Sequence, residues 1–368
     1  MESVLNFSLN CFQQISHSSS SSVVFSPLSV INVLMMIMLG SKGPTQSELS
    51  NSLLGKTFNG SFDVILNAVK TNERSNETNM NNFMFVDNSF PINDMFIHIS
   101  KQVFNTEVSQ LDFANETEKV VLEVNQRIDN ATNGLIKKVI DHLSPASKLV
   151  LMNTLYFKSE WKHKFEKRRT KKRDFHLENG KIISTDMMFL NANLYLGFSG
   201  ALNCVALKLP YANGKLQFVV LLPMENTKLD DLIARLTPEK LSELLEKQMI
   251  RNKVKLWMPK MQLDWSSSLI PHLQDLGINY VFDPQRANLT GIAERSTGLY
   301  VSDFMHKVVF EVDENGSRGA AVTSAIFKQR SLSFAEDLML NRPFVFMVGE
   351  FDQNKMKNMM FMGKYMSP

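Results

Sequence analysis

The chain has 368 residues, a hydrophobic content of 44% and a formal net charge of +3, from 40 Lys and Arg against 37 Asp and Glu. This length allows one large domain or two smaller ones, and no linker rich in Pro, Gly or Ser divides the sequence. No apolar run approaches the roughly twenty residues of a membrane-spanning helix, and so small a net charge does not indicate a nucleic-acid partner.

The chain opens on a predicted amphipathic helix, because Leu5, Leu9, Phe12 and Ile15 recur at helical spacing. No basic start, apolar core and small-residue cleavage site precede this helix. We therefore expect either that no signal peptide is cleaved or that the sequence begins at the mature end.

A second helix is predicted over the apolar stretch that follows a short serine loop. Ser26 suits its N-cap and Pro27 its first turn, and Gly40 fits its exit. On this interpretation Ser26 and Ser29 are capping residues with a purely structural role.

Further along, three segments predict strands. Residues 151–161, LMNTLYFKSEW, begin with an apolar run typical of a buried strand, and residues 205–209 form a second. Residues 217–223 are almost continuously apolar, which indicates burial on both faces of a sheet. Thr237 and Pro238 then predict a helix start.

The sequence holds no local motif for catalysis or metal binding. The seven histidines do not pair at ligand spacing, and no H-E-x-x-H, C-x-x-C, phosphate loop or G-x-S-x-G elbow occurs. Cys11 and Cys204 lie in apolar patterns and are predicted to be buried thiols. His306 is predicted to be a hydrogen-bonded structural residue, although a Ser/His/Asp triad of distant residues stays open.

Residues 311–332, EVDENGSRGAAVTSAIFKQRSL, form the most unusual stretch. Its side chains are too small for a permanent core strand, which would carry β-branched or aromatic residues, and too rarely charged for a solvated linker. Because side chains alternate between the two faces of a strand, one face would carry only small residues and the other would carry Arg318. The small face is Ser317, Gly319, Ala321, Thr323 and Ala325. This pattern suits a loop that can become a central strand.

Glu314-Asn315-Gly316, the small run and a basic residue fourteen positions after the glycine resemble the hinge and reactive loop of a serpin, a serine protease inhibitor. The resemblance extends over nearly the whole chain and implies an α+β serpin fold. We expect a large mixed central sheet, smaller sheets, eight or nine helices, and one domain over residues 1–368 with a reactive loop over about 314–335. Arg318 departs from the acidic residue usual at its position, and the tail after Arg330 is about two residues longer than in many members.

The resemblance also assigns roles to individual residues. The scissile bond is Arg330–Ser331, with Lys328 as the second choice, and the protein inhibits proteases without being an enzyme. Residues 125–140 resemble the helix across the main sheet, with Arg127 in place of the usual Trp. The hinge comprises Glu314, Gly316, Ser317, Gly319, Ala320, Ala321 and Thr323, and Ser26, Ser29, Asn153 and Trp161 fall at the shutter and breach of that sheet.

The implied mechanism is suicide inhibition. A trypsin-like protease binds one basic side chain of its substrate in a pocket with an Asp at its base, and the Arg330 guanidinium fits such a pocket. After attack, the loop inserts into the sheet and carries the protease with it in a covalent complex. A non-inhibitory serpin, such as a chaperone or carrier that binds polyanions, is the alternative. No metal or membrane partner is expected, and the inhibitor is predicted to be a monomer.

Positive charge concentrates in residues 162–173, KHKFEKRRTKKR. The basic residues are Lys162, Lys164, Lys167, Arg168, Arg169, Lys171, Lys172 and Arg173, against one acid. A heparin-like sulfated polysaccharide could bind there and accelerate inhibition. The simpler interpretation is a solvated strand edge that its lysines protect from pairing.

Seven N-x-S/T sequons suggest glycosylation and hence secretion. They fall at Asn6, Asn59, Asn76, Asn115, Asn130 and Asn288, with Asn315 inside the hinge. An extracellular location is slightly favoured, with the cytoplasm as the alternative because no signal peptide is visible.

Overall fold

The structure is a computed structural model that describes residues 2–55, 78–294, 297–317 and 336–368. The chain divides into two compact units. The first takes the described parts of Met1–Cys11, Ser26–Tyr156 and Trp265–Val309, and the second those of Phe12–Phe25, Phe157–Asp264 and Phe310–Pro368. One domain over the whole chain stays a prediction.

A five-stranded sheet, most of it in the first unit, has the strand order β11-β12-β4-β2-β3. Its central strand β4 is parallel to β12, with Val308 opposite Leu155, and β2 is parallel to β3. The predicted buried strand is confirmed as a central strand, but it spans Leu149–Phe157 and does not extend to residue 161. The strands are β2 Thr78–Asp87, β3 Thr106–Leu111, β4 Leu149–Phe157, β11 Met261–Ser268 and β12 Val301–Val312.

Helix α2, Pro27–Gly40, is buried along nearly its whole length because eleven of its fourteen residues are apolar or proline. The predicted cap is confirmed, since the Ser26 hydroxyl accepts the Ser29 N–H at 3.3 Å. The other helices are α1 Glu2–His17, α3 Gly43–Leu54, α4 Asp94–Phe104, α5 Thr117–Ala131 and α8 Ile270–Asp275.

Helix α5 packs on the sheet through Val120, Val124 and Ile128, which recur every four residues and share one core with Val150 and Met152 of β4. The sequence prediction placed this helix at residues 125–140, and that boundary is wrong. The helix starts eight residues earlier and ends at Ala131, because the following Asn133 and Gly134 both have positive φ, which terminates helical geometry.

The second unit holds a nine-stranded sheet with the order β1-β16-β15-β9-β8-β7-β10-β14, and β6 pairs with β7 off this path. Two helices accompany it, α6 Leu229–Arg235 and α7 Pro238–Lys247. The strands are β1 Val23–Phe25, β6 Lys171–His176, β7 Ile182–Ser199, β8 Cys204–Pro210, β9 Leu216–Pro223, β10 Met249–Pro259, β14 Glu336–Met339, β15 Phe344–Asp352 and β16 Lys355–Tyr365.

A small two-stranded sheet in the same unit joins β5, Ser159–Glu160, to β13, Gly316–Ser317. Eight α-helices thus occur in the described ranges, which fits the predicted eight or nine. No helix in those ranges is long and apolar enough to cross a membrane. The thiols of Cys11 and Cys204 are free and buried, as predicted.

Candidate functional site

The hinge begins where β12 ends. A turn over Asp313–Gly316 is closed by the Asp313 N–H, which donates to the Gly316 carbonyl at 2.9 Å. The chain then runs antiparallel to β5, with Gly316 opposite Glu160 and Ser317 opposite Ser159. Gly316 is required here, because a Cβ at this position would lie 2.0 Å from the Ser159 carbonyl oxygen.

Trp161 packs against this hinge and donates two hydrogen bonds to its main chain. Its ring stacks on Tyr211 with centroids 4.6 Å apart, and its Nε1–H donates to the Asp313 carbonyl at 2.9 Å. Its main-chain N–H donates to the Asn315 carbonyl at 2.8 Å. The Tyr211 hydroxyl in turn lies 2.8 Å from that of Ser317, whose side chain is fully buried.

Glu314 is the charged residue of the turn, and only 4% of its surface is exposed. Its Oε1 accepts a hydrogen bond from the Thr170 hydroxyl at 2.7 Å and pairs with the Lys260 ammonium at 2.9 Å. Burial alone would raise the pKa of Glu314, but the hydrogen bonds from Lys260 and Thr170 outweigh it and hold this pKa below its ordinary value. Glu314 is therefore a carboxylate whose charge is compensated inside the hinge.

A second polar cluster lies in the first unit. The Ser29 hydroxyl donates to Asn153 Oδ1 at 2.7 Å, and Asn153 Nδ2 donates to Asn82 Oδ1 at 2.5 Å. The Ser26 N–H donates to His306 Nε2 at 3.0 Å. All five side chains are buried, and these bonds connect α2 to the strands β2, β4 and β12.

His306 is neutral in this cluster. Burial lowers its pKa to about 3, and because Nε2 accepts the Ser26 N–H, the proton must reside on Nδ1. No carboxylate among the described residues forms a hydrogen bond with this ring, so the described residues form no catalytic triad around His306. The structure agrees with the prediction of a hydrogen-bonded structural histidine.

Comparison with known proteins identifies the fold. The family model described as Serpin (serine protease inhibitor) matches residues 2–368. The chain belongs to the serpin family. Leukocyte elastase inhibitor A of Rattus norvegicus is 30% identical over 98% of this chain and 97% of its own, and human serpin B8 is 28% identical over 98% and 97%.

Solved serpin structures agree over the whole chain. Mouse protein-Z dependent protease inhibitor superposes with a TM-score of 0.88 at 27% identity, covering 100% of this chain and 96% of its own. Native protease nexin-1 with heparin gives a TM-score of 0.87 at 27% identity, covering 100% and 98%. The expected α+β serpin fold is thereby confirmed.

Within this serpin, the described residues bring together only part of the predicted site. Glu314, Gly316, Ser317 and Trp161 meet at the hinge, whereas Ser26, Ser29 and Asn153 meet in the first unit. The remaining predicted hinge and scissile residues lie outside the described residues, as do two sequons. These are Gly319, Ala320, Ala321, Thr323, Lys328, Arg330, Ser331, Asn59 and Asn76.

Four hinge and cluster partners were not predicted from the sequence. Thr170, Tyr211 and Lys260 contact the hinge from positions more than fifty residues away, and Asn82 completes the Asn153 cluster. Val254, Leu256 and Met258 alternate along the sequence just before Pro259 and Lys260, but this pattern does not distinguish Lys260 from other surface lysines.

The basic segment 162–173 lies on the surface of the second unit and ends in the edge strand β6. Ion pairs hold three of its cations, Lys164 to Glu160, Arg168 to Glu166 and Lys172 to Asp186. Two arginines stack on neighbouring rings, Arg169 over Phe189 at 3.7 Å and Arg173 over Trp257 at 3.6 Å. The cations without an acidic partner in the described ranges are Lys162, Lys167, Arg169, Lys171 and Arg173.

The remaining sequons differ in their surroundings. Asn6, Asn115 and Asn130 are exposed, whereas Asn288 and the hinge residue Asn315 are half-buried. The Asn115 amide nitrogen donates to both carboxylate oxygens of Asp112 at 3.1 Å, so a glycan there would have to displace these bonds.

Proposed function

We propose that this serpin is a suicide inhibitor of a trypsin-like serine protease, which attacks the bond Arg330–Ser331. The observation that supports this proposal most directly is the start of the hinge. Gly316 and Ser317 already run antiparallel to β5, and β5 follows β4 in the chain after a single residue. The loop is therefore anchored at the position from which further strand pairing can propagate.

Insertion would change the backbone pairing of the five-stranded sheet. Strands β4 and β12 are hydrogen-bonded parallel neighbours, so a strand entering between them must replace that ladder with two antiparallel ones. Serpin loop insertion is a known case of strand addition and released strain. Fourteen inserted residues at about 3.3 Å each would carry a protease bound at Arg330 roughly 45 Å.

The specificity for a basic residue rests on Arg330, because its always-charged guanidinium matches an Asp at the base of a protease pocket. The name of the relative leukocyte elastase inhibitor A describes the target of that protein and does not assign a target to this chain. Arg330 distinguishes this chain's proposed target from an elastase, whose pocket accepts small side chains.

The test is formation of a covalent complex. Wild type incubated with trypsin should give an equimolar band that survives SDS, and Arg330→Ala should abolish it. Lys328→Ala is the matched control and should retain the complex. If Arg330→Ala still trapped trypsin while Lys328→Ala did not, the scissile bond would be at Lys328.

A second proposed function is polyanion binding by the basic segment. The two stacked arginines support it, because stacking on Phe189 and Trp257 fixes their guanidinium groups without neutralising them. Arginines held in this way present their N–H groups to sulfate at a small cost in conformational entropy. A sulfated polysaccharide is therefore the proposed ligand and accelerator.

Heparin chromatography with charge-matched variants tests this second function. Replacing Lys162, Lys167 and Lys171 with Ala removes three charges, from +3 to 0, and should lower the salt needed for elution. Replacing the exposed lysines Lys215, Lys228 and Lys247 removes the same charge elsewhere and should lower it much less. Equal shifts for both triple variants would mean that heparin responds only to overall charge.

A further inference from the structure

The hinge contains a dipeptide that is prone to chemical modification. Asparagine followed by glycine deamidates readily, since glycine has no side chain to obstruct attack by its nitrogen on the asparagine side chain. Five such dipeptides occur, and Asn315–Gly316 is the one that lies in the hinge. The asparagines concerned are Asn59, Asn133, Asn179, Asn213 and Asn315.

The Gly316 N–H, whose nitrogen would attack the Asn315 side chain, is hydrogen-bonded to the carboxylate of Asp313. Asp313 Oδ1 accepts the N–H of Asn315 at 2.7 Å and that of Gly316 at 3.2 Å. The Asn315 carboxamide itself makes no hydrogen bond within the described part of the chain. The Asn315 side chain is therefore not held away from the Gly316 nitrogen, whereas the Gly316 N–H keeps its proton and donates it to Asp313 Oδ1 for as long as the turn persists.

The other described Asn-Gly pairs are arranged differently. The N–H groups of Gly134, Gly180 and Gly214 donate to main-chain carbonyls, at 2.9, 3.0 and 3.3 Å. All three glycines have positive φ, and a Cβ would meet no atom closer than 4.0 Å. These turns have room for a changed backbone, whereas Gly316 is packed directly against the Ser159 carbonyl.

We propose that Asn315 is a deamidation site controlled by the pairing of the hinge with β5. When the hinge opens, the Gly316 nitrogen loses its proton to solvent and attacks Asn315 Cγ. A C–N bond forms, the Cγ–Nδ2 bond breaks, and ammonia leaves. Water then opens the cyclic imide at either carbonyl, and gives aspartate or isoaspartate with the proton returned to the glycine nitrogen.

Isoaspartate would disable the hinge permanently. The main chain then passes through Cβ and Cγ of residue 315, which inserts one extra carbon before Gly316. Gly316 and Ser317 can no longer keep their register opposite Glu160 and Ser159, because Gly316 has no free space in which to shift. The Asn315 carbonyl that accepts the Trp161 N–H at 2.8 Å also becomes a free carboxylate that branches off the main chain.

Peptide mapping by mass spectrometry of the intact protein, aged in mildly alkaline buffer, tests the site. Asp313→Ala should raise the rate at Asn315 about tenfold, the factor that corresponds to one charge-assisted hydrogen bond. The rates at Asn179 and Asn213 should not change and serve as internal controls. Equal rates at Asn315 in wild type and Asp313→Ala would overturn the control by the hinge.

A second variant covers the case in which Asp313→Ala does not fold. Tyr211→Phe removes only the hydroxyl that meets Ser317 and should also speed deamidation at Asn315, because the hinge opens more often. If Asn315 stays an amide in wild type and in this variant while Asn213 is converted, the assignment of the site is wrong.

The consequence is measured separately. The deamidated fraction, isolated by ion exchange, contains both products, and peptide mapping of its complexed and uncomplexed parts after incubation with trypsin should find isoaspartate only in the uncomplexed part. Asn315→Asp, which adds the charge without the extra carbon, should form the complex. This readout rests on the proposed inhibitory function, but the mass measurement does not. Failure of fresh wild type to trap trypsin would count against that function alone, and full trapping by the isoaspartate form would refute the consequence.

Discussion

At the scale of single residues, the hinge has one position that only glycine can occupy, and next to it a buried contact between two hydroxyl groups. Gly316 admits no Cβ, and Ser317 has its hydroxyl against Tyr211 in a fully buried position. A side chain at 317 must therefore be small and able to form a hydrogen bond. Burial of Ser317 is compatible with the predicted small face of the loop, which stays a prediction.

Ser317→Arg should convert the inhibitor into a substrate. A buried guanidinium without an acidic partner is costly, so the first step of insertion is opposed and the acyl-enzyme is hydrolysed first. Cleavage assays should show loop cutting without an SDS-stable complex. Ala320→Arg places the same group on the predicted outer face and should still trap trypsin, and trapping by both variants would mean that the assignment of the two faces is wrong.

The pH dependence of stability has a residue-scale origin in His306. Burial lowers its pKa to about 3, while a histidine in the unfolded chain titrates near 6.5. Between these values the unfolded chain binds a proton that the folded chain excludes. The free energy of unfolding should therefore fall as the pH is lowered from 6.5, by up to about 1.4 kcal/mol per pH unit from this group.

Urea unfolding of wild type and His306→Gln between neutral and acid pH checks this contribution. The variant should be less stable at neutral pH, yet it should lose less stability on acidification. His142→Gln, at an exposed histidine, should follow the wild-type curve. Parallel curves for wild type and His306→Gln would show that His306 does not titrate across this range.

At the scale of elements, Arg127 ties helix α5 to the edge strand β3. Its guanidinium pairs with Glu123 of the same helix and with Glu107 of β3, both at 2.5 Å, and donates to the Ser109 hydroxyl at 2.8 Å. The sequence marked Arg127 as a departure from the usual Trp. The polar contacts that replace it could not be predicted, because they depend on which face of α5 meets β3.

Arg127→Ala should lower the free energy of unfolding by about 1 kcal/mol or less, since these ion pairs are partly exposed. The loss should be larger at low salt than at high salt, because salt screens the pairs in wild type. Lys119→Ala is the matched control and should cost less, as its partner Glu116 is the N-cap of the same helix and the pair does not reach β3. A salt-independent difference between wild type and Arg127→Ala would show that packing of the arginine stem is responsible.

The sequence located helices and strands correctly where neighbouring residues determine them. The Ser26 cap, the Thr237 cap and the apolar strand β9 follow from neighbouring residues, and all are present. The prediction misplaced helix α5 because it took the helix bounds from the family resemblance. Asn133 and Gly134 end the helix after Ala131, although Ile136, Val139 and Ile140 still pack on the same core. Burial in this core therefore continues past the end of the helix and does not mark the helix boundary.

At the scale of the whole molecule, the resemblance to serpins supplied what local signals could not. The partners of the hinge come from Thr170, Tyr211 and Lys260, which only the assembled fold brings to Glu314 and Ser317. That the small side chains at alternate positions form the inward face during insertion stays a prediction, because the described part of the hinge ends at Ser317. The fold was therefore predictable by resemblance, and the detailed site was not.

The last prediction concerns cleavage of the loop in the absence of a covalent complex. If the loop inserts, each of about fourteen new residues gains backbone hydrogen bonds worth about 1 kcal/mol net, which adds stability on the order of 10 kcal/mol. That is comparable to the whole stability of an ordinary domain. Nicking at Arg330 should therefore raise the thermal midpoint strongly, and Ser317→Arg should reduce that rise. Differential scanning calorimetry before and after nicking measures it, and an unchanged midpoint in wild type would identify a serpin whose loop never enters the sheet, as expected of a carrier or chaperone.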